Sequence, residues 1–402
     1  MNFGSLSAVG AFQGGNGVDV VINRGSIVGQ VELGSGDDHF DGRGGSIVNQ
    51  SLSLTGHVEG GQGDDLYLID DPNIELVELP AQGLDTVGTE VSFTLPDHIE
   101  QLSLIGADDI NGFGNILDNL ITPNIGANFI DGGGGVDTVS YGGSSTGVNA
   151  QLYGEFVYNL SSISTLAAAV PRLAATAGSG GAQGDFLVNV ENLFGSAFDD
   201  FLLGSAQNNL LRGLTGDDLL FGNAGNDVLE GGVGAERLDG GAGVDFAAYA
   251  TAVSGVTADL IVIANNTGDA AGDFYANIQN LRGSQHDDVL NGTFASNRIE
   301  GLDGNDSMRG RGGSDIYVGG NGDDTFIFQN GFAAEQINDF EELNDNEKID
   351  LSQVTAITDF TDLFNNHLSI SGSSSVIDDG AGGTITLLNV SVTDLDANDF
   401  IF

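Results

Sequence analysis

The sequence repeats itself every nine residues, and that period confines the chain to a small set of folds. From Gly195 to Ala248 six nonapeptides run without a gap: GSAFDDFLL, GSAQNNLLR, GLTGDDLLF, GNAGNDVLE, GGVGAERLD and GGAGVDFAA. From Gly283 to Ile327 five more follow: GSQHDDVLN, GTFASNRIE, GLDGNDSMR, GRGGSDIYV and GGNGDDTFI. Earlier copies stand at Gly60 to Leu68 (GGQGDDLYL), at Gly132 to Ser140 (GGGGVDTVS) and, in part, around Asp37 and Asp38 (SGDDHFDGRGG). A short fixed period means one supersecondary unit stacked on its neighbours, because no single copy can bury its own apolar face.

The residue types set the geometry of the unit. The first six positions are glycine-rich, as a tight turn with positive φ requires. The sixth is usually Asp, which puts a carboxylate inside the turn beside backbone carbonyls. Positions seven to nine form a short strand whose eighth residue is apolar and points inward: Leu202, Leu211, Leu220, Leu229, Leu238 and Phe326. Two nonapeptides make one coil, so units n and n+2 stack and a cation can sit between their turns. Oxygen ligands of this kind suit Ca²⁺. No His or Cys recurs at a ligand position, which disfavours zinc and copper. The stacking rule pairs Asp200 with Asp218 and Asp227 with Asp245, with weaker sites at Asn209 and Glu236. In the second array Asp288, Asp306 and Asp324 share one side, and Asn297 pairs with Asp315 on the other. Asp38, Asp65 and Asp137 are the corresponding acids of the earlier copies.

Charge points the same way. The chain has 58 Asp plus Glu against 10 Lys plus Arg, a formal charge of −48, yet 40% of its residues are hydrophobic. It needs a core and carries acid that must be neutralised, by bound divalent cations or by a basic partner. Nucleic acid and anionic membrane surfaces would repel it. No apolar run approaches the roughly 20 residues of a membrane span, so membrane insertion is not expected. Cysteine is absent, so stability must come from repetition and metal. The segment MNFGSLSAVGAFQGG has no basic region followed by a sustained apolar one, and a cleaved signal peptide is not expected.

These nonapeptides resemble the repeats-in-toxin (RTX) family, whose consensus is GGxGxDxUx with U a large apolar residue. Val91 to Ile121 resembles a spacer common in large bacterial RTX proteins. Two segments echo each other: DTVSYGGSSTGVNAQL with GDFLVNVENLFGS, and DFAAYATAVSGVTADL with GDFYANIQNLRGS. Each pair leads into one array, which argues for duplication of a module. Ile337 to Val354, a short helix expected near Asp359 to Asn366, and strands ending LDANDFIF are similar to the β-rich cap of serralysin-like proteins. Asp399-Phe400-Ile401-Phe402 resembles an uncleaved type I secretion signal; the alternative is a last edge strand. The resemblance implies Ca²⁺ at several sites, folding driven by calcium outside the cell, and export without a cleaved signal peptide.

Nothing in the sequence rises to a catalytic site. H-E-x-x-H, G-x-S-x-G and P-loop motifs are absent, and His39, His57, His98, His286 and His367 are scattered. The basic residues are few and dispersed, with Arg309 and Arg311 the only close pair, which leaves a uronate-processing enzyme without its cationic subsite. The Ala-rich stretch within 144–184, containing Leu166, Val170 and Leu173, is a loop, a helical insertion or a contact element. The expected architecture is all-β: an elongated parallel β-roll or β-helix-like solenoid with calcium-binding turns and a C-terminal β cap. Its expected segments are an irregular β-rich region (1–140), a first roll with an insertion (141–248), a second roll (249–336) and the cap (337–402). The expected function is a non-enzymatic, extracellular or cell-surface structural subunit of a surface layer, filament or matrix. Its expected partners are further copies of the chain and the type I secretion machinery. A calcium-dependent adhesin binding a cell-surface polysaccharide is the alternative, and a polysaccharide-active enzyme is less favoured.

Overall fold

The computed structural model describes residues 6–7, 12–48, 57–153, 181–341 and 346–402. The chain falls into two compact units, Met1–Ala197 and Phe198–Phe402. Each is a parallel β-roll of strands two to six residues long.

The second unit shows how nine residues become half a coil. Phe201–Leu203, Leu219–Phe221 and Arg237–Asp239 pair in parallel with Leu202, Leu220 and Leu238 in register. Leu210–Thr215 and Val228–Val233 pair likewise, placing Leu211 beside Leu229. Each step is eighteen residues, the length of two nonapeptides. A three-residue strand sends only its middle side chain inward, and all six of the apolar residues named for this role are 0% exposed. Each contributes about 1.5–3 kcal/mol by leaving water. The turns between strands hold positive φ at the second and fourth repeat positions, as at Gly320 (105°) and Gly322 (140°).

The boundaries expected at 140 and 248 do not interrupt this pairing. In the first unit, Phe40, Tyr67, Val87, Leu102, Ile121, Val139 and Leu193 form one continuous inward ladder. Coil length there varies, because the loops outside the ladder can grow or shrink without moving the strands. The segment Val91 to Ile121 therefore supplies coils of the same roll. In the second unit Ala247, Leu281 and Ile299 carry the ladder past residue 248 into the second array. The stretch within 144–184 that includes Leu166, Val170 and Leu173 lies, from 154 to 180, outside the described residues.

The cap departs from the roll. Leu368–Ser371, Ser374–Asp378 and Thr384–Leu387 form an antiparallel meander, and Thr384–Leu387 then adds in parallel to Ala334–Ile337. A short helix, Phe360–Asp362, opens on Asp359, whose side chain accepts the Asp362 N–H, and continues as a wider turn over Leu363–His367. Phe400–Ile401 is an edge strand, paired in parallel with Lys348–Gln353. Among the described residues no helix is long and apolar enough to cross a membrane.

Candidate metal centres

The sixth-position carboxylates form ladders along the coils. In each pair expected from the sequence, the backbone N–H of one acid donates to Oδ1 of the next: Asp200 to Asp218 at 2.7 Å, Asp227 to Asp245 at 2.8 Å, Asp288 to Asp306 and Asp306 to Asp324 at 2.8 Å. Asn209 donates to Asp227 and Asn297 to Asp315 in the same way. In the first unit Asp38 donates to Asp65, and Asp137 accepts from Asn119. The fifth-position residue works in the opposite direction. Asp199 accepts from the Asp217 N–H, and Asp217 from Ala235. The Asp-Asp and Asn-Asp pairs so common in the sequence thus tie each turn to the coils on both sides.

With Oδ1 committed, the second oxygen is what remains. Oδ2 of Asp38, Asp65, Asp137, Asp218, Asp227, Asp245, Asp306, Asp315 and Asp324 is buried and has no hydrogen-bond partner. A buried carboxylate oxygen without a donor is costly unless a cation meets it. The surroundings are also oxygen. A Cβ placed on Gly213 would collide with Asp218 Oδ2 and lie 2.5 Å from the Gly231 carbonyl. Gly222 stands in the same relation to Asp227 and the Gly240 carbonyl, and Gly301 to Asp306 and the Gly319 carbonyl. A glycine at position one therefore leaves room where carboxylate and carbonyl oxygens converge. Such a donor set fits a hard cation of the size of Ca²⁺, and the nonapeptide repeats bind calcium at multiple sites.

Three sixth-position acids differ from the rest. Asp288 accepts from the Ser284 N–H, the Ser284 hydroxyl and the Val256 N–H, which engages both of its oxygens. Asp200 is buried and is tied into the ladder through its own N–H. Glu236, expected to make a weaker site, has both carboxyl oxygens buried without a hydrogen bond and lies beside Asp273. Burial, reinforced by neighbouring carboxylates, pushes Asp137, Asp218 and Asp227 up to about 7 and Asp306 to about 8. The same causes bring Asp65 and Asp324 to about 6. A cation entering these sites displaces protons, so calcium affinity falls as pH falls.

Strict nine-residue counting misses several members of the ladders. Asp65 donates its N–H to Asp85, Asp85 to Glu100, Asp137 to Glu191, Glu236 to Asp273 and Asp315 to Glu335. Their spacing varies, but a local signal marks them: an acid two residues ahead of a buried apolar residue, as in Asp85-Thr86-Val87, Glu100-Gln101-Leu102 and Glu335-Gln336-Ile337. The echoed segments also repeat in detail. Tyr141 donates to Asp185 and Tyr249 to Asp273, each at 2.8 Å.

The RTX calcium-binding nonapeptide repeat matches residues 113–145, 190–220, 212–247 and 291–326, four copies in all. No curated protein matches the chain. Among solved structures, the chain is similar to the extracellular lipase LipA from Serratia marcescens, at 20% identity and a TM-score of 0.23. That match covers 51% of this chain and 40% of the lipase, less than half of the lipase's length.

Proposed function

This chain carries RTX calcium-binding repeats, and on that footing we propose that it is a secreted protein whose rolls close on calcium and which serves outside the cell as a self-assembling structural subunit. The observation that carries this reading is that, among the described residues, the Oδ2 atoms of nine sixth-position Asp residues are buried without donors. They set the folded form against an ion that is scarce inside cells and plentiful outside. Export through the type I machinery in the unfolded state, followed by folding in extracellular calcium, makes use of that difference.

Assembly is supported by the sheet edge at Phe400–Ile401. Among the described residues it pairs on one side only, and Ile401 and Phe402 are exposed beside it. An unpaired strand edge carrying apolar side chains can accept another strand. The reading assigns the chain no reaction. Arg24, Arg43, Arg212, Arg282, Arg298 and Arg311 are each held in ion pairs with its own carboxylates, which argues against a cationic subsite for an acidic sugar. Electron microscopy and sedimentation of the purified chain with calcium and with EDTA test the proposal. Polymers or sheets are expected in millimolar calcium, and a permanently monomeric protein there would overturn it.

A second reading, calcium-dependent glycan binding, rests on a row of half-buried rings. Phe113, Phe129, Phe186 and Tyr153 follow one another with centroids 6.0, 5.8 and 4.5 Å apart. Saturable binding of a polysaccharide by the monomer, lost on replacing Phe129 and Phe186 with Ala, would favour it.

A further inference from the structure

Outside the segments that match the repeat, the first unit brings three carboxylates to one point. Asp65, Glu78 and Asp85 each offer an oxygen, and the three oxygens lie within 4.8 Å of one another. All three residues are at least 96% buried. The placement follows from strand register. Glu75–Val77 pairs in parallel with His57–Gln62, with Val77 opposite Glu59. Glu78 therefore arrives opposite Gly60, the first residue of the nonapeptide that ends in Leu66, Tyr67 and Leu68. In the regular arrays this place is taken by a glycine, which can offer only a backbone carbonyl. Here a side-chain carboxylate occupies it.

The oxygens converge. A Cβ on Gly60 would collide at once with Asp65 Oδ2, Glu78 Oε1 and the Tyr67 hydroxyl. Asp65 Oδ2 has no hydrogen-bond partner, and it is aimed at Glu78. Tyr67 donates its hydroxyl proton to Glu78, and the Asp65 N–H donates to Asp85 Oδ1 at 2.9 Å. Among the described residues, the main outside charges acting on the cluster are the acids Asp37, Asp38, Asp64 and Glu100.

We propose that Asp65, Glu78 and Asp85 form a three-carboxylate calcium site that fills before the sites of the regular arrays. In oxygen-ligand sites, affinity rises with the number of carboxylates and with the rigidity of the site. Here there are three carboxylates, and strand register and the Tyr67 hydroxyl fix their positions. The first unit thus acquires a tight site where the repeats are sparse.

Calcium titration of the full chain by calorimetry, together with tyrosine-sensitised Tb³⁺ luminescence, tests this. The chain has no Trp, so sensitised emission comes from its seven Tyr, and Tyr67 touches the proposed site. The wild type is expected to show an early, tight class of site. Glu78→Gln should weaken that class about 10–100-fold, on the scale at which site-ordering residues act, while the later classes and the β signal at millimolar calcium persist. Tyr67→Phe should lose the emission of the first Tb³⁺ bound. Unchanged early binding in Glu78→Gln overturns the proposal, as does unchanged first-phase emission in Tyr67→Phe. If Glu78→Gln fails to fold, the Tyr67→Phe emission alone decides. A wild type that shows the early class and no later ones would instead count against calcium binding by the arrays.

Discussion

At the scale of the residue, the sixth-position Asp performs two separable tasks. Oδ1 accepts a backbone N–H from the neighbouring coil, and Oδ2 is left for a cation. An Asn amide oxygen can do the first and not the second, although Asn209 and Asn297 themselves turn theirs to the Ser205 and Thr293 N–H groups of their own turns. Asp218→Asn should therefore leave the metal-free protein as stable as the wild type or more so, because no charge is then buried, while lowering calcium affinity. Asp218→Ala should lower affinity and also strand the Asp200 N–H, costing about 1–3 kcal/mol. Urea unfolding with EDTA separates the two variants, and calcium titration groups them. The raised carboxyl values carry a second expectation. An acid whose folded value lies near 7, against about 4 when unfolded, holds its proton preferentially in the folded state. Its stabilising contribution is complete below about pH 4 and is lost as pH rises through about 6–8. The metal-free protein should thus keep more β structure at pH 5 than at pH 8, and its −48 charge, which also shrinks on acidification, acts in the same direction. With calcium the trend should reverse, since the ion needs the ionised form. Circular dichroism at the two pH values, with EDTA and with calcium, checks both signs.

At the scale of the element, a strand of three residues has one inward side chain and little else to hold it. Leu220 is flanked in register by Leu202 and Leu238, so Leu220→Ala should leave a cavity and cost about 2–5 kcal/mol, read as a lower urea midpoint in saturating calcium. The turns carry a different strain. The second repeat position takes positive φ even where it is not glycine, at 84° for Leu214 and 86° for Leu302. A left-handed L-residue costs about 1–2 kcal/mol, part of which the added freedom of an unfolded glycine takes back. Leu302→Gly should raise the melting temperature slightly. Gly320→Ala should lower it sharply, because the new Cβ would strike the Leu302 carbonyl. These elements were legible in the sequence wherever the period held. The inward residues, the paired acids and the helix near Asp359 follow from local patterns that the structure repeats. Asp85, Glu100 and Glu335 escape the nine-residue period and are marked only by the short acid-x-apolar triplet, because a ladder needs only strand register and tolerates coils of different length between its rungs. Glu78 was hidden for the same reason: only the pairing of Val77 with Glu59 brings it to Asp65.

At the scale of the whole molecule, the question is how strongly folding is tied to calcium. A site that exists only in the folded chain stabilises it by RT ln(1 + [Ca²⁺]/Kd), about 1.4 kcal/mol at a tenfold excess over Kd. One such site would give a gentle dependence. Many sites that form together give a steep one, because each adds RT to the slope of unfolding free energy against ln[Ca²⁺] once the ion exceeds its Kd. The nine donorless Oδ2 atoms of the sixth-position Asp residues are spread over both units, six of them on the two arrays of the second unit between Asp218 and Asp324. Every array site also depends on the register of at least two coils, so the sites cannot form one at a time on an open chain. Unfolding by urea at a series of free calcium concentrations should give a slope of several RT. Asp218→Asn with Asp227→Asn should reduce that slope by one to two RT and leave the metal-free baseline in place. A wild-type slope below one RT would mean that the carboxylate ladders are held by hydrogen bonds alone, and the coupling of folding to calcium would have to be abandoned. A steep slope would mean that the chain's excess acid, which opposes folding without the ion, is the source of a sharp folding threshold in extracellular calcium.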